Sequence, residues 1–467
     1  MSACPRARRW GRGLLVLVAL CLLCLLGWAR WGAGARDLYR RGWTQARPGR
    51  PTVIFAVLDT VRADHTSLCG YDRPTTPTLQ RLAAAGRHTC RAYAPGSWTL
   101  PTHASFFTGL PVLQHGVHEL PLASVDITSD ASSIPARTLG PKLPTLAEDM
   151  ARAGYQTVAV SGNPVVCKNT GLMRGFQVEK AAEHFRDLDD DDLVAQVRRE
   201  LRNRLDPRGR PLFLFVNMAD AHQPWRAVPD DVGWARSRPA LGWSASKSGP
   251  WQRFLTGKMS DGQGRALLAR VTDLYDYGVY EADHTLGDVL AEVEAEGWCA
   301  DGCRVIAASD HGEFLGEHGL IDHGFYAWEP NSQVFLVDSE PGEPFPEPLN
   351  ATHAFHLVRD GVLPEVLLPV TTVAWPDARR AKRTGGLAYG VTSAAQWFGW
   401  SKLLWMDGVT RGYDLAHDPG ETHPIGLSAG GTFDALVAGI RAVSPETDVD
   451  PADQGVMAAL KAAGYIE

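Results

Sequence analysis

The sequence predicts an α/β fold: a large, mostly parallel central sheet with helices on both faces. Three observations carry this. Continuous apolar runs recur at Val53–Leu58, Leu212–Val216 and Val305–Ala308, the pattern of strands buried on both faces of a parallel sheet. Amphipathic segments lie between and after them, at Thr78–Ala85, Leu146–Ala153 and Leu274–Glu296, each followed by a glycine (Gly86, Gly154, Gly297), a helix-stop signal. Each apolar run also leads to an acid, Asp59, Asp220 or Asp310, and the last two add His222 and His311. Ligands of open α/β sheets gather at the carboxyl ends of strands. Asp after a strand can equally be a turn or N-cap residue, but three acids with two Asp/His pairs favour one shared site.

Arg6, Arg8, Arg9 and Arg12 precede an unbroken apolar run, Leu14–Leu26, that extends to Ala29. This is at the short edge of a membrane span, which needs roughly 20 apolar residues. It also suits a signal-peptide core, with Ala33-Gly34-Ala35 as a cleavage site. Residues 1–36 are therefore a membrane anchor or a signal segment. Either reading puts the rest of the chain outside the cytoplasm, membrane-anchored through this segment or secreted or periplasmic if it is cleaved. Residues 37–50, rich in Arg, Gly and Pro, read as a linker.

The first strand follows, then the helix at 78–85. Next comes Thr99-Leu100-Pro101-Thr102-His103, opening an apolar stretch. This places a hydroxyl at a helix N-terminus, where free N–H groups and the dipole favour an anion. The simpler alternative is that Thr99 is only an N-cap. The helix at 146–153 leads into a strand at Thr157–Val160. The acidic stretch 186–192 reads as a solvated helix start rather than a calcium loop, since its spacing is not that of an EF-hand. Residues 226–262, rich in Trp, Ser and Gly, read as an insertion over the site. Beyond about 340 the pattern weakens, and Trp397–Asp414 reads as a pair of short strands.

The net charge of -7 in 467 residues argues against a nucleic-acid partner. Cysteine usage fits an oxidising compartment. Cys299 and Cys303 flank a turn and could close a small loop. Five cysteines lie beyond the leader, so one stays unpaired within the chain, and at least one of Cys69, Cys90 and Cys167 reads as a buried free thiol.

Taken in order, several blocks resemble the sulfatase family of the alkaline phosphatase superfamily. Thr99-Leu100-Pro101-Thr102-His103-Ala104-Ser105 with Thr108-Gly109 resembles that family's Cys-x-Pro-Ser-Arg-Ala-Ser-x-x-Thr-Gly stretch. Leu58-Asp59-Thr60-Val61-Arg62-Ala63-Asp64-His65 resembles its first strand and metal loop, and Thr76-Pro77-Thr78-Leu79 its first helix. Pro144-Thr145-Leu146, Asp220-Ala221-His222-Gln223-Pro224 and Ser309-Asp310-His311-Gly312-Glu313 resemble further blocks. Lys402-Leu403, Tyr413-Asp414-Leu415 and Asp418-Pro419-Gly420-Glu421 resemble the family's closing strands. The resemblance runs over 51–335 and 397–424. It implies an alkaline-phosphatase-like fold, with a catalytic domain at 51–340 and a C-terminal part at 341–467 that holds a small antiparallel-sheet subdomain.

The resemblance also implies a site. Asp59, Thr99, Asp310 and His311 would surround one divalent metal ion (zinc, manganese or calcium), with a second metal possible. Thr99 would be the nucleophile. His222 and His323 would contact the substrate and serve the leaving oxygen, and His103 would contact the transferred group. Asp64 and His65 would orient the metal loop. His318 would be a ligand or a partner of His311, and His115 and His118 surface or pocket-lining residues. Three departures matter. Thr99 cannot become the formylglycine that sulfatases make from Cys or Ser, and His103 replaces the arginine. Thr60 replaces a metal carboxylate. Asn163-Pro164-Val165 replaces the family's Lys-x-His. A threonine nucleophile resembles the phospho-transferring relatives. The expectation is a metal-dependent ester hydrolase or transferase acting on an anionic phosphoester or phosphonoester, whether lipid head group, glycan or small ester. The alternatives are a sulfuric ester hydrolase by another route and a degenerate anion- or glycan-binding member.

Overall fold

A computed structural model describes residues 50–118, 136–183, 190–204, 210–236, 238–241, 249–375, 392–406, 408–428 and 430–442. The expected leader, nearly all of the linker and parts of the two uncharacterised segments lie outside these residues.

The large sheet has eight strands: β1 (Thr52–Leu58), β2 (Arg87–Tyr93), β3 (Gln156–Ser161), β4 (Val178–Ala181), β5 (Leu212–Met218), β6 (Cys303–Ala308), β9 (Gln333–Asp338) and β10 (Leu349–Asn350). A two-stranded ribbon of β7 (Phe314–Leu315) and β8 (Ile321–Asp322) lies between β6 and β9 in the chain. The spatial order is β10-β2-β9-β6-β1-β5-β3-β4. Only β9 runs against its neighbours, so the sheet is mostly parallel, as expected. β1 sits between β5 and β6, and every one of its residues is buried. Its side chains alternate between two cores. Phe55 and Val57 join Phe106, Phe107, Phe215 and Leu146 on one face. Ile54, Ala56 and Leu58 join Leu274, Val279, Leu286 and Val293 on the other. Period-two alternation thus supplies an apolar surface to helices on each side.

The helix at Pro77–Ala85 and the one at Leu146–Arg152 fall where the sequence places them. The long helix is longer than expected, Asp261–Ala295. Its first turns are polar, which hides the periodicity, but Ser260 and Gln263 form a reciprocal capping box that starts it. Gly278 lets this helix reach the loop after β5: a Cβ there would lie 2.4 Å from the Asp220 carbonyl oxygen. The helix Asp190–Arg204 begins inside the acidic stretch.

The large unit does not stop at 340, since β10 pairs with β2 and the helix Ala354–Asp360 packs on the same core. The small sheet is antiparallel, as expected, in the order β11 (Thr371–Ala374), β12 (Ser393–Phe398), β13 (Ser401–Met406), β14 (Val409–Asp414). Trp397–Asp414 therefore contains the end of one strand and two more, not a pair. The aromatic run conceals a tight turn at Gly399, whose φ of 63° suits glycine. Cys299 is bonded to Cys303 and Cys69 to Cys90, leaving Cys167 as the free thiol among the described residues. Among the described residues no helix is long and apolar enough to cross a membrane.

A buried triad joins the two sheets. Lys402 of β13 is fully buried, with Nζ 3.0 Å from Glu329 Oε1 and 2.5 Å from Glu421 Oε1. The Trp397 indole N–H also donates to Glu329. Two carboxylates share one ammonium, and burial outweighs the pull of Lys402, pushing the Glu421 carboxyl up to about 7. A carboxyl whose pKa is raised on folding stabilises the fold in its neutral form. That contribution is complete below the unfolded value of about 4.3 and is lost as pH rises through the folded one. The melting temperature of the wild type minus that of Glu421→Gln should therefore fall as pH rises from 5 to 8. A difference independent of pH would show that Glu421 keeps an ordinary carboxyl in the fold.

Candidate active site

Four neighbouring strands each deliver a polar side chain at the carboxyl edge of the sheet: Asp310 after β6, Asp59 after β1, Asn217 in β5 and Asn163 after β3. All four are fully buried. Asp59 Oδ2 accepts from Asn163 Nδ2 at 2.8 Å and from Asn217 Nδ2 at 3.2 Å. Asp310 Oδ1 accepts from the backbone N–H groups of Thr60 and His311 at 3.1 and 3.0 Å. One oxygen of each carboxylate is thus held. The other, Oδ1 of Asp59 and Oδ2 of Asp310, has no hydrogen-bond partner among the described residues.

Thr99 is the first residue of the helix Thr99–Thr108; the N-cap is Trp98. The capping alternative therefore does not hold. The Thr99 hydroxyl instead lies 3.2 Å from His311 Nε2 and 3.3 Å from Asn163 Nδ2. His311 Nδ1–H donates to the Gly312 carbonyl at 2.9 Å, which turns the Nε2 lone pair toward Thr99 and both orphaned oxygens, 3.4 Å from Asp310 Oδ2 and 3.9 Å from Asp59 Oδ1. Burial lowers the His311 pKa to about 3, so the ring is neutral. Burial raises Asp59 to about 7. Asp310 is raised well above the carboxylate range, by burial first and by the charge of Asp59 second.

Two buried carboxylates with one free oxygen each, a neutral imidazole nitrogen and a hydroxyl converge, and among the described residues no arginine or lysine pairs with them. Burying such charges unpaired is costly. Carboxylate, imidazole and hydroxyl donors suit a hard or borderline divalent ion, and Asp59, Asp310 and His311 lie close enough to hold one. The residues fit the metal that the sequence implies.

His103 stands one helical turn beyond Thr99 and is fully buried. Nδ1 lies 2.9 Å from the Thr99 carbonyl oxygen and 3.5 Å from Asp310 Oδ2, and Nε2 lies 3.3 Å from Asn217 Nδ2. Its ring packs against Phe106, Phe107 and Phe215. Both nitrogens are engaged inside the protein, so His103 braces the site from behind; this packing does not offer the expected contact with a transferred group.

His222, His311 and His323 form a row, with ring centroids 4.9 Å apart for His222–His323 and 4.5 Å for His311–His323. His323 Nδ1 lies 2.9 Å from Glu313 Oε2 and 3.3 Å from Asp322 Oδ1, and these three form a second buried group of metal-ligand type. The third strand-end acid, Asp220, lies 4.0 Å from Arg226 and belongs to neither of these two metal-ligand groups among the described residues. His318 stacks on Trp328 rather than supporting His311. Asp64 pairs with Arg62 and His65 with Asp276, within the metal loop and its support. His115 is bonded to Ser105, and His118 stacks on Trp375.

Residues 51–344 match the family described as Sulfatase. No curated protein sequence matches the chain. Among solved structures the fold is similar to a phosphonate monoester hydrolase of Agrobacterium radiobacter, with a TM-score of 0.57, 18% identity, and 84% of this chain and 94% of that one covered. It is also similar to the phosphonate monoester hydrolase SpPMH of Silicibacter pomeroyi (TM-score 0.55, 16% identity, 84% and 94% covered). A further match is BT1596, a 2-O GAG sulfatase (TM-score 0.54, 15% identity, 84% and 91% covered). At these identities the likeness shows the shared fold alone. The family match covers well over half of the chain: the protein belongs to the sulfatase family of ester-bond hydrolases.

Proposed function

We propose that this enzyme acts outside the cytoplasm on an anionic phosphoester or phosphonoester, with Thr99 as nucleophile at the position where relatives carry the formylglycine precursor. The observation that carries the reading is the Thr99 hydroxyl beside His311 Nε2, facing the two orphaned carboxylate oxygens. Asp59, Thr99, Asp310 and His311 would hold a divalent cation, which when bound would lower the Thr99 hydroxyl pKa and polarise the ester oxygen. The Thr99 hydroxyl, its proton released to solvent, attacks phosphorus in line as the bond to the leaving oxygen breaks, forming a covalent phosphothreonine-type intermediate. The leaving oxygen takes its proton from the His222–His323 side, where Glu313 and Asp322 orient the His323 ring. Water or a second hydroxyl then resolves the intermediate. Asn163 holds Asp59 and Thr99 through one amide, and its own orientation is set by the Val165 N–H donating to its Oδ1. A threonine ester of sulfate would lack the release route that an aldehyde hydrate provides, which is why phosphorus is favoured. The two disulfides support an oxidising compartment; a membrane anchor within residues 1–36 remains part of the proposal.

The direct test assays the full chain against an aryl sulfate, a phosphate monoester, a phosphate diester and a phosphonate monoester, with zinc, manganese or calcium added. Diester or phosphonate turnover is expected, supported by zinc or manganese, and Thr99→Ala should lower kcat at least ~10³-fold. Sulfate turnover of comparable efficiency that survives this substitution would overturn the reading. Asp310→Ala should leave the purified protein with less than one equivalent of bound metal by elemental analysis; full occupancy would remove Asp310 from the ligand set. Asn163→Ala should reduce metal affinity or kcat roughly 10- to 100-fold, the usual effect of losing a group that orients a ligand. An unchanged enzyme would make the amide incidental.

A further inference from the structure

The backbone immediately after Asp59 is strained. Thr60 has a φ of 62°, and a β-branched residue in the left-handed region is a genuine outlier. Such strain persists only where the surroundings over-determine it. Here the unusual turn aims the Thr60 N–H at Asp310 Oδ1, 3.1 Å away, while the Thr60 hydroxyl donates to the Asp59 carbonyl at 2.7 Å. The turn therefore ties the two acids together and decides which oxygen of Asp310 is held and which is left facing Thr99.

One side chain from outside the loop holds this turn by two bonds. Tyr275, on the long helix Asp261–Ala295, is fully buried. Its hydroxyl donates to the Thr60 carbonyl at 2.6 Å and accepts from the Arg62 N–H at 2.8 Å. It bridges a donor and an acceptor two residues apart, which clamps the loop across its bend. Both residues are buried, so removing the hydroxyl would strand two backbone groups. The ring is fixed independently of these bonds, edge-on to His65 and to Trp225, and the Arg62 side chain is anchored to Asp64 and Glu317. The hydroxyl can therefore act as a rigid peg.

We propose that Tyr275 is a positioning residue of the metal centre: its hydroxyl holds the left-handed turn at Thr60 and thereby the mutual geometry of Asp59 and Asp310. This rests on the reading of those residues as metal ligands. Tyr275→Phe keeps the ring and deletes only the peg. The test titrates the full chain, freed of metal by a chelator, with Co²⁺ followed by visible absorption, for wild type and Tyr275→Phe, well below the melting temperature of each metal-free protein. The expected result is a Co²⁺ affinity at least tenfold weaker in the variant, with an altered absorption envelope. The loss should also be smaller when Tyr275→Phe is made in a Thr60→Gly background, because glycine adopts a positive φ without strain. A Co²⁺ affinity within twofold of wild type, whatever happens to the melting temperature, would overturn the proposal by reducing Tyr275 to a packing residue. A variant that no longer folds would overturn it too, assigning the hydroxyl to folding. Failure of the wild type itself to take up Co²⁺ would overturn instead the metal reading on which the proposal rests.

Discussion

Two carboxylates with no solvent exposure, Asp59 and Asp310, face one point, and most of the surrounding structure answers to that. In a low-dielectric setting each disfavours ionisation of the other, which is the direction burial gives both. Among the described residues no arginine or lysine pairs with them. Arg62 is committed to Asp64 and Glu317, and Lys402 to Glu329 and Glu421. Neutral donors are used instead, two amides on Asp59 and two backbone N–H groups on Asp310. These saturate one oxygen of each acid and leave the other bare. A site built this way is preorganised for an external cation, because its donors are fixed before the ion arrives.

The fold supplies the rigidity this requires. Adjacent parallel strands fix the spacing of residues at their carboxyl ends in both directions, along the strand by register and across it by hydrogen bonding. The loop after β6 is held against the segment Glu329–Ser332. The Gly312 and Glu313 N–H groups donate to the Asn331 and Pro330 carbonyls, and a Cβ on Gly312 would lie 2.0 Å from the Pro330 oxygen. Glu329 opens that same segment and is gripped by Lys402 and Trp397 from the small sheet. The C-terminal subdomain is thus mechanically continuous with the loop that carries Asp310, His311 and Glu313.

Legibility from sequence followed the chemistry of the residues. Buried strands announce themselves as apolar runs, and an acid at such a run's end is conspicuous, so the α/β class and the positions of Asp59, Asp310 and His311 were readable. The same rule also nominated Asp220, which lies near Arg226 and is not among the clustered ligand-type groups of the described residues. A strand-end acid carries no information about which side of the edge it faces. Asn163 and Asn217 were missed as functional groups because amides are common at turns and belong to no ligand motif. The one available signal was a polar residue continuing the β5 apolar run at Asn217. Glu313 follows the Asp310-His311 pair in sequence, but only the folded chain brings it to His323. His103 was placed by resemblance to an arginine that reaches a substrate. The helix turns the His103 imidazole into the core, where it bonds the Thr99 carbonyl. Tyr275 lies 215 residues from Thr60, and no local pattern links them.

The charge balance also bears on the proposed substrate. With the proposed divalent cation bound, the two carboxylates would be ionised and the three charges would sum to zero, while burial holds the His311 imidazole neutral. A centre of zero net charge attracts a monoanion through the cation with only partial opposition from the ligands. A dianion would add a second negative charge close to Asp59 and Asp310, where among the described residues no guanidinium or ammonium pairs with either acid. Phosphodiesters and phosphonate monoesters are monoanions at neutral pH, whereas phosphate monoesters are largely dianions. On the proposed reading, selection between them then follows from what Asn163 and Asn217 are not. Neutral amides on Asp59 orient it without supplying positive charge. Cationic side chains at those two positions would shift the balance toward the dianion.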